Sequence, residues 1–292
     1  DRTKIDAIAV GDFPIDSHTY KYVGGIGLEG NFIAFNPPFH IPYNALIPKN
    51  VDGLIVTSAI SSTHVAYGSI RMEPLRMLMG QVAGTAAHFA IIENIEIRNV
   101  DVNRLQLSLL DQKDAICSFD DVTPSHWAFK YINMIGIKNI TRCLPDIYGG
   151  TNPWFPDRNI TRAEFAVFMV RTFRFPIDTS GTDFSDVPPT YWAYKEIKTM
   201  RNRGIMLGDG TNFYPENSIT NAEAAVASVR SKGYSLADPL APSFSDVPKN
   251  HWAYKEIETA TVHGLYTPGG NFYPNNNATR AEAARLSFLL SS

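Results

Sequence analysis

Ile160-Thr161-Arg162-Ala163-Glu164 recurs as Ile219-Thr220-Asn221-Ala222-Glu223 and again as Ala278-Thr279-Arg280-Ala281-Glu282. Each copy reads as the opening of a helix. A Thr followed three residues later by Glu is a capping box: the hydroxyl accepts from an otherwise unpaired first-turn N–H, and the Glu accepts from the capping residue's own N–H. Arg162 and Arg280 lie outside that explanation. A cation in the first turn faces the positive end of the helix macrodipole, at a cost of roughly a few tenths of a kcal/mol, so an anionic group is expected beside them.

Working outward, a second signal fixes the repeat. Phe119-Asp120-Asp121-Val122, Phe184-Ser185-Asp186-Val187 and Phe244-Ser245-Asp246-Val247 each precede a Trp-Ala pair by the same interval, at Trp127-Ala128, Trp192-Ala193 and Trp252-Ala253. Apolar residues continue at helical spacing: Ala128/Ile132/Ile135, Ala193/Ile197/Met200 and Ala253/Ile257/Ala260. Gly136, Gly204 and Gly264 follow, then a loop, then Phe155-Pro156, Tyr214-Pro215 and Tyr273-Pro274, five residues before each capping Thr. The second helix of copy one carries Ala166, Met169, Val170 and Phe173 on one face. Two-helix units of roughly 50 to 60 residues cannot bury their apolar faces alone, so three are expected to stack around a shared core. Asp121, Asp186 and Asp246 stand where they can cap the first helices; metal binding is the weaker reading, because no further oxygen ligands cluster near them.

This pattern, over about 175 residues and three times in register, resembles the S-layer homology domain of bacterial surface proteins. The resemblance implies non-covalent attachment to a secondary cell-wall polysaccharide, frequently one bearing a pyruvate ketal, in grooves between neighbouring repeats. A ketal carboxylate at a helix N-terminus would meet unpaired N–H groups and a favourable dipole, and a guanidinium would hold it with two parallel hydrogen bonds. Arg162 and Arg280 are the expected clamps, with Asn221 at the matching position of copy two, where the bidentate grip is lost. Trp127, Trp192 and Trp252 are expected in the core, with walls for a sugar face as the other reading. Copy one departs from the pattern by an inserted stretch, Lys138 to Asp146, expected to lengthen its groove loop.

Residues 1 to 95 do not repeat. Asp6 to Val10 is a short apolar run, Asn31 to Phe35 alternates like a strand, and Leu54-Ile55-Val56, after the Asp52-Gly53 turn, reads as a buried strand. Pro74 begins a helix expected to run to about Ile92, and its Gly80, Ala83, Gly84, Ala86 and Ala87 leave room for another element to approach.

Ile41-Pro42-Tyr43-Asn44-Ala45-Leu46-Ile47-Pro48, Leu54-Ile55-Val56, and Ser61-Ser62-Thr63-His64 through Gly80-Gln81-Val82-Ala83-Gly84-Thr85-Ala86-Ala87 resemble, in order, the C-terminal part of FAD-dependent oxidoreductases of the glutathione-reductase-like fold. Ile8 to His18 is similar to the preceding stretch of such enzymes, on their substrate side. The resemblance implies that the last helix points its positive end at the flavin pyrimidine ring. It makes His18 and His64 candidate catalytic residues and Ser69, Arg71 and Met72 candidate cofactor contacts. Ser58-Ala59 replaces the Gly-Arg pair common in that family. The glycine-rich turn of a dinucleotide-binding βαβ unit is missing, since Gly24-Gly25-Ile26-Gly27 has the wrong spacing. FAD is therefore expected in a full-length parent and not in this stretch alone, which is expected to be inactive as an enzyme by itself. Asp1 in place of Met points to a processed product or a fragment, and the missing half favours a fragment.

Composition narrows the partners. Twenty-six basic and 29 acidic residues give a formal charge of −3, with no basic footprint for nucleic acid and no polybasic run for a membrane surface. No apolar run of about 18 residues suggests a membrane span. Cys117 and Cys143, the two cysteines, are too few for a disulfide framework or a four-ligand metal site; they either pair with each other or are idle thiols.

The expected architecture is multidomain. An α/β or α+β remnant of a flavoprotein (1–95) leads through a semi-ordered connector (96–116) into a mainly helical, pseudo-threefold bundle of three repeats (117–178, 183–236 and 243–292). A wall anchor, a surface flavoenzyme, and repeats that assemble an S-layer with other proteins are the three functions this organisation allows.

Overall fold

The computed structural model describes residues 2–17, 22–23, 26–27 and 32–291. The chain divides into two compact units, residues 1–154 and 155–292, and the division falls inside the first repeat.

In the first unit the apolar run near the start becomes β1 (Ala7–Gly11), antiparallel to β6 (Phe39–Pro42), with Val10 opposite His40. β2 (Ile15–Ser17) pairs with β5 (Phe32–Ala34), and β3 (Tyr22–Val23) with β4 (Ile26–Gly27). All three ladders are antiparallel, so among the described residues the unit is α+β. Helix α1 (His64–Ile70) packs on β2 closely enough that a Cβ on Gly68 would fall 2.5 Å from the Asp16 carbonyl oxygen. Helix α2 (Glu73–Glu93) has Pro74 in its first turn, as expected, and ends on Asn94 in the left-handed conformation. Its Leu75, Met79, Val82, Ala86 and Phe89 join Ile8, Ile41, Tyr43 and Leu46 in one core.

Three expectations fail here. Leu54-Ile55-Val56 is neither a strand nor fully buried: Leu54 is exposed, and the segment's one ladder-like bond is from the Val56 N–H to the Leu46 carbonyl. A buried strand needs neighbours on its edges, and none of the described strands flanks it. The Gly80 and Gly84 positions of α2 are open, with nothing within 4 Å of a Cβ built there. In length and composition α2 would reach across a bilayer, contrary to the reading that no such run exists, but it is the central helix of this core, buried along one face.

The supposed connector is structured. Helix α3 (Val102–Asp111) is capped by Asp101 and buries Leu105, Leu109 and Leu110, a spacing that helices place on one face. Gln106 beside them donates to the Ile5 and Ala7 carbonyls. Helix α4 (Phe129–Ile137), the first helix of copy one, packs on α3.

The second unit repeats that arrangement. Its helices are α5 (Arg162–Phe173), α6 (Tyr194–Asn202), α7 (Asn221–Lys232), α8 (Tyr254–Val262) and α9 (Arg280–Leu290). α6 packs on α5 and α8 on α7, so the first helix of a copy rests on the second helix of the copy before it. α3 gives α4 the same support. The three second helices, α5, α7 and α9, pack on one another, and all three capping boxes form in both directions.

Candidate functional site

The capping segments of the second unit are joined in a closed ring. The Ile160 N–H donates to the Ala278 carbonyl, Ala278 to Ile219, and Ile219 back to Ile160, at 2.9 to 3.1 Å. The next two N–H groups of each helix also go to a neighbouring copy: Arg162 and Ala163 donate to Asn217 and Pro215, Asn221 and Ala222 to Asn276 and Pro274, and Arg280 and Ala281 to Arg158 and Pro156. The third is taken by the capping Thr. The expectation that a ligand carboxylate meets unpaired N–H groups at these helix starts is therefore wrong. The orphan donors of a helix terminus are spent on holding the copies together, which also explains the aromatic-Pro pairs, whose Pro carbonyls are the acceptors.

The anion expected beside the first-turn arginines belongs to the protein. Arg162 Nη1 lies 2.6 Å from Glu223 Oε1, the capping-box Glu of the next copy, and its Nε donates to the Phe213 carbonyl. Arg280 Nη1 lies 2.8 Å from Glu164 Oε1. Asn221, shorter by three atoms, reaches the Phe272 and Tyr273 carbonyls instead. Burial alone would push the Glu164 carboxyl up, but the Thr161 N–H, Arg158 and Arg280 together hold it below the ordinary carboxylate range.

Asp121, Asp186 and Asp246 do not cap the first helices, which begin after Ala128, Ala193 and Ala253 with no side-chain cap. Asp186 accepts from the Phe213 and Tyr214 N–H groups, and Asp246 from those of Phe272 and Tyr273. Asp121 accepts from the Trp154 N–H. The carboxylates thus clamp the loop that carries the aromatic residue, and they do so where Tyr214 and Tyr273 take positive φ, 60° and 55°. That backbone region is unfavourable for a bulky side chain, and the two charge-assisted bonds offset the strain.

The tryptophans are not core residues. Trp127, Trp192 and Trp252 are 54%, 60% and 63% exposed, while the Ala that follows each is fully buried. Each lies just before its helix starts, so the apolar face begins one residue later than the pattern suggested. Phe155, Tyr214 and Tyr273 are exposed as well.

One feature of each repeat escaped sequence reasoning. The residue six places after each Trp is polar and buried: Asn133, Lys198 and Glu258. Asn133 accepts from the Ile116 and Cys117 N–H groups, Lys198 donates to the Gly181 carbonyl and to Asp183, and Glu258 accepts from the Ser243 N–H and hydroxyl. Each holds the segment leading into its own copy. The signal was present as a polar residue set directly after the Ile of a buried helix face in all three copies.

In the first unit, His18 lies outside the described residues. His64 is the first residue of α1 and is exposed. Ser69 is buried, and Arg71 places Nη2 2.7 Å from Asp16 Oδ2. Met72 precedes α2 without capping it, and Ser69, Met72, Pro74, Leu75, Gly11 and Phe13 line a cavity of about 300 Å³ at that helix start. An uncapped helix N-terminus beside a cavity fits the ring end of a flavin. His64 is not among the residues lining it.

Cys117 and Cys143 pair as a disulfide. The inserted stretch that ends in Asp146 is thereby tied down: Cys143 and Leu144 are buried, and Arg2 donates to the Pro145 carbonyl. Gly136 makes the pairing possible, because a Cβ there would fall 2.5 Å from Cys117 Sγ. Gly204 and Gly264, grouped with it from the sequence, lie three residues later in register with φ near 70°; the residue of copy one at their position is Asn139, φ 59°, so Gly136 serves a different purpose.

Residues 1–109 match the family profile described as FAD dependent oxidoreductase, and residues 183–225 and 243–284 match the S-layer homology domain. The first match runs into α3, past the boundary expected near residue 95. The chain is similar to an amylopullulanase of Thermoanaerobacterium thermosulfurigenes, 30% identical over 180 residues, which cover 59% of this chain and 9% of that protein. It is 32% identical over 176 residues to the S-layer protein EA1 of Bacillus anthracis, covering 58% and 19%. With a cellulosome-anchoring protein of Acetivibrio thermocellus it shares 32% over 160 residues, 53% and 34%. The chain thus spans about a third or less of the length of these curated relatives.

Proposed function

We propose that the three repeats anchor an exported bacterial protein to the cell wall by binding secondary cell-wall polysaccharide without a covalent bond. Its place is outside the cell, at the wall or S-layer. The observation that carries this reading is the set of three tryptophans, exposed at one position of every repeat, each beside a ring of its own copy at His126, Tyr191 or His251 and outside the core. Exposed aromatic faces are the surface a sugar ring's C–H groups favour, and Trp127, Trp192 and Trp252 are the walls in this reading. A pyruvate-ketal carboxylate is the charged determinant. It competes for Arg162 and Arg280 with the Glu partners those residues already have, and Asn221 marks the copy that lacks a guanidinium. Taken with the hydrogen-bonded ring of capping segments, the copies are read as a pseudo-threefold bundle of repeats at 117–178, 183–236 and 243–292.

Titration with isolated wall polysaccharide, before and after acid removal of the ketal, tests the determinant. Weaker binding after removal supports it. Equal binding assigns recognition to the sugar rings alone, and no binding to either favours assembly with other S-layer proteins.

Residues 1–109 are read as the C-terminal part of a flavoprotein whose full-length form carries FAD. A bound flavin supplies two-electron redox chemistry. This chain's share is the uncapped start of α2 with Ser69 and Met72, while Arg71 is occupied by Asp16.

A further inference from the structure

Two buried sulfurs of the first unit sit in different electrostatic settings: each has a backbone carbonyl oxygen nearby, Asn133 for Cys117 and, at 3.9 Å, Ile116 for Cys143, but a ring nitrogen lies beside Cys143. Cys117 Sγ lies 3.5 Å from the Asn133 carbonyl oxygen, an acceptor. Cys143 Sγ lies 3.3 Å from His40 Nε2. The tautomer of His40 follows from its other nitrogen: the Lys4 backbone N–H donates to Nδ1 at 3.0 Å, so Nδ1 bears a lone pair and the ring proton is on Nε2. Burial is the largest influence on the ring and holds it below its ordinary pKa and hence neutral. Nε2–H therefore points a donor at Cys143.

We propose that the Cys117–Cys143 disulfide is a polarised, reducible clasp in which Cys143 is the leaving sulfur and His40 stabilises it. Exchange is faster when the departing thiolate is stabilised, and among the described residues only the Cys143 sulfur has a hydrogen-bond donor beside it. A thiolate of an external dithiol attacks Cys117 Sγ; the new S–S bond forms as the Cys117–Cys143 bond breaks, and the electron pair departs on Cys143 as a thiolate bonded to Nε2–H. The dithiol's second sulfur, losing its proton to water, then attacks its own mixed disulfide. It leaves as a cyclic disulfide, oxidised by two electrons, and Cys117 takes up a proton and donates its S–H to the Asn133 carbonyl. Both cysteines are only 3% exposed, so exchange waits on local opening. Its consequence is release of the 138–146 stretch from the lead-in of the first repeat.

The same three residues do not suit a metal. Their ligand atoms lie within 4.8 Å of one another, but ligation through Nε2 would move the ring proton to Nδ1, against the Lys4 N–H.

The test is to treat the full chain with limiting glutathione under native conditions, quench with acid, and map the adduct by mass spectrometry. The expected product carries glutathione on Cys117 and a free Cys143. His40→Ala, checked for an unchanged near-UV spectrum, should lower the cleavage rate about tenfold and even out the adduct between the two sulfurs. Adduct on Cys143, or an even split in the unaltered chain, overturns the proposal without any variant. So does stoichiometric zinc binding by the reduced chain through His40.

Discussion

Arg280 Nη1 and Glu164 Oε1 are 2.8 Å apart although 116 residues separate them in the chain. The Glu also completes its own helix cap through the Thr161 N–H, so one carboxylate both starts a helix and ties the third copy to the first. Arg162 and Glu223 do the same between the first and second copies. Between the second and third, Asn221 stands in the Arg position, and among the described residues Glu282 bonds only its own Thr279.

Asn221→Arg should complete this set by giving Glu282 a guanidinium. The expected gain is about 1 kcal/mol, the scale of one partly buried charge-assisted bond, read as a higher denaturant midpoint with an unchanged slope. A loss of stability would show that the Phe272 and Tyr273 carbonyls need the Asn amide more than Glu282 needs a cation.

Acid should weaken the same junction. The Glu164 carboxyl is depressed in the folded chain from its ordinary value of 4.5, so its contribution is complete above that pH and is lost as pH falls through the lower folded value. Melting curves between pH 6 and pH 3 should show a smaller acid loss in Glu164→Gln than in the unaltered chain. Parallel curves would contradict this.

Ser228 and Ser287 occupy one position of α7 and α9, the position held by Met169 in α5, and all three are fully buried. Neither hydroxyl has a hydrogen-bond partner among the described residues. Because burying an unsatisfied hydroxyl costs about 1 to 3 kcal/mol, Ser228→Ala and Ser287→Ala should each stabilise the chain by about 1 kcal/mol, a rise of a few °C in Tm. A fall in Tm would mean that the hydroxyls are satisfied in solution.

Trp192→Ala and Trp252→Ala should leave stability within about 0.5 kcal/mol, as exposed substitutions usually do, while weakening polysaccharide binding at least about tenfold between them. If Tm collapses while binding holds, the rings serve packing and the surface reading is wrong.

The repeat itself was legible from periodicity and spaced motifs: the capping boxes, and the apolar residues that follow each Trp, stand where the pattern put them. What stayed hidden depends on which group a side chain finds across the fold. Arg162 looked like an unpaired cation because its partner, Glu223, is a residue of the same motif one copy later, already explained as a cap. Asp186 looked like a cap because it precedes a helix, yet it clamps a loop 27 residues on. The tryptophans begin the Trp-Ala pattern, and one residue of register decided between core and surface. Leu54-Ile55-Val56 had the composition of a buried strand but no neighbour among the described strands.

Sedimentation of the chain with purified Gram-positive sacculi, before and after extraction of the secondary polysaccharide, tests the anchoring account most directly. The account predicts that the chain pellets with intact sacculi and stays in solution once the polysaccharide is removed. Equal pelleting with extracted sacculi would contradict it.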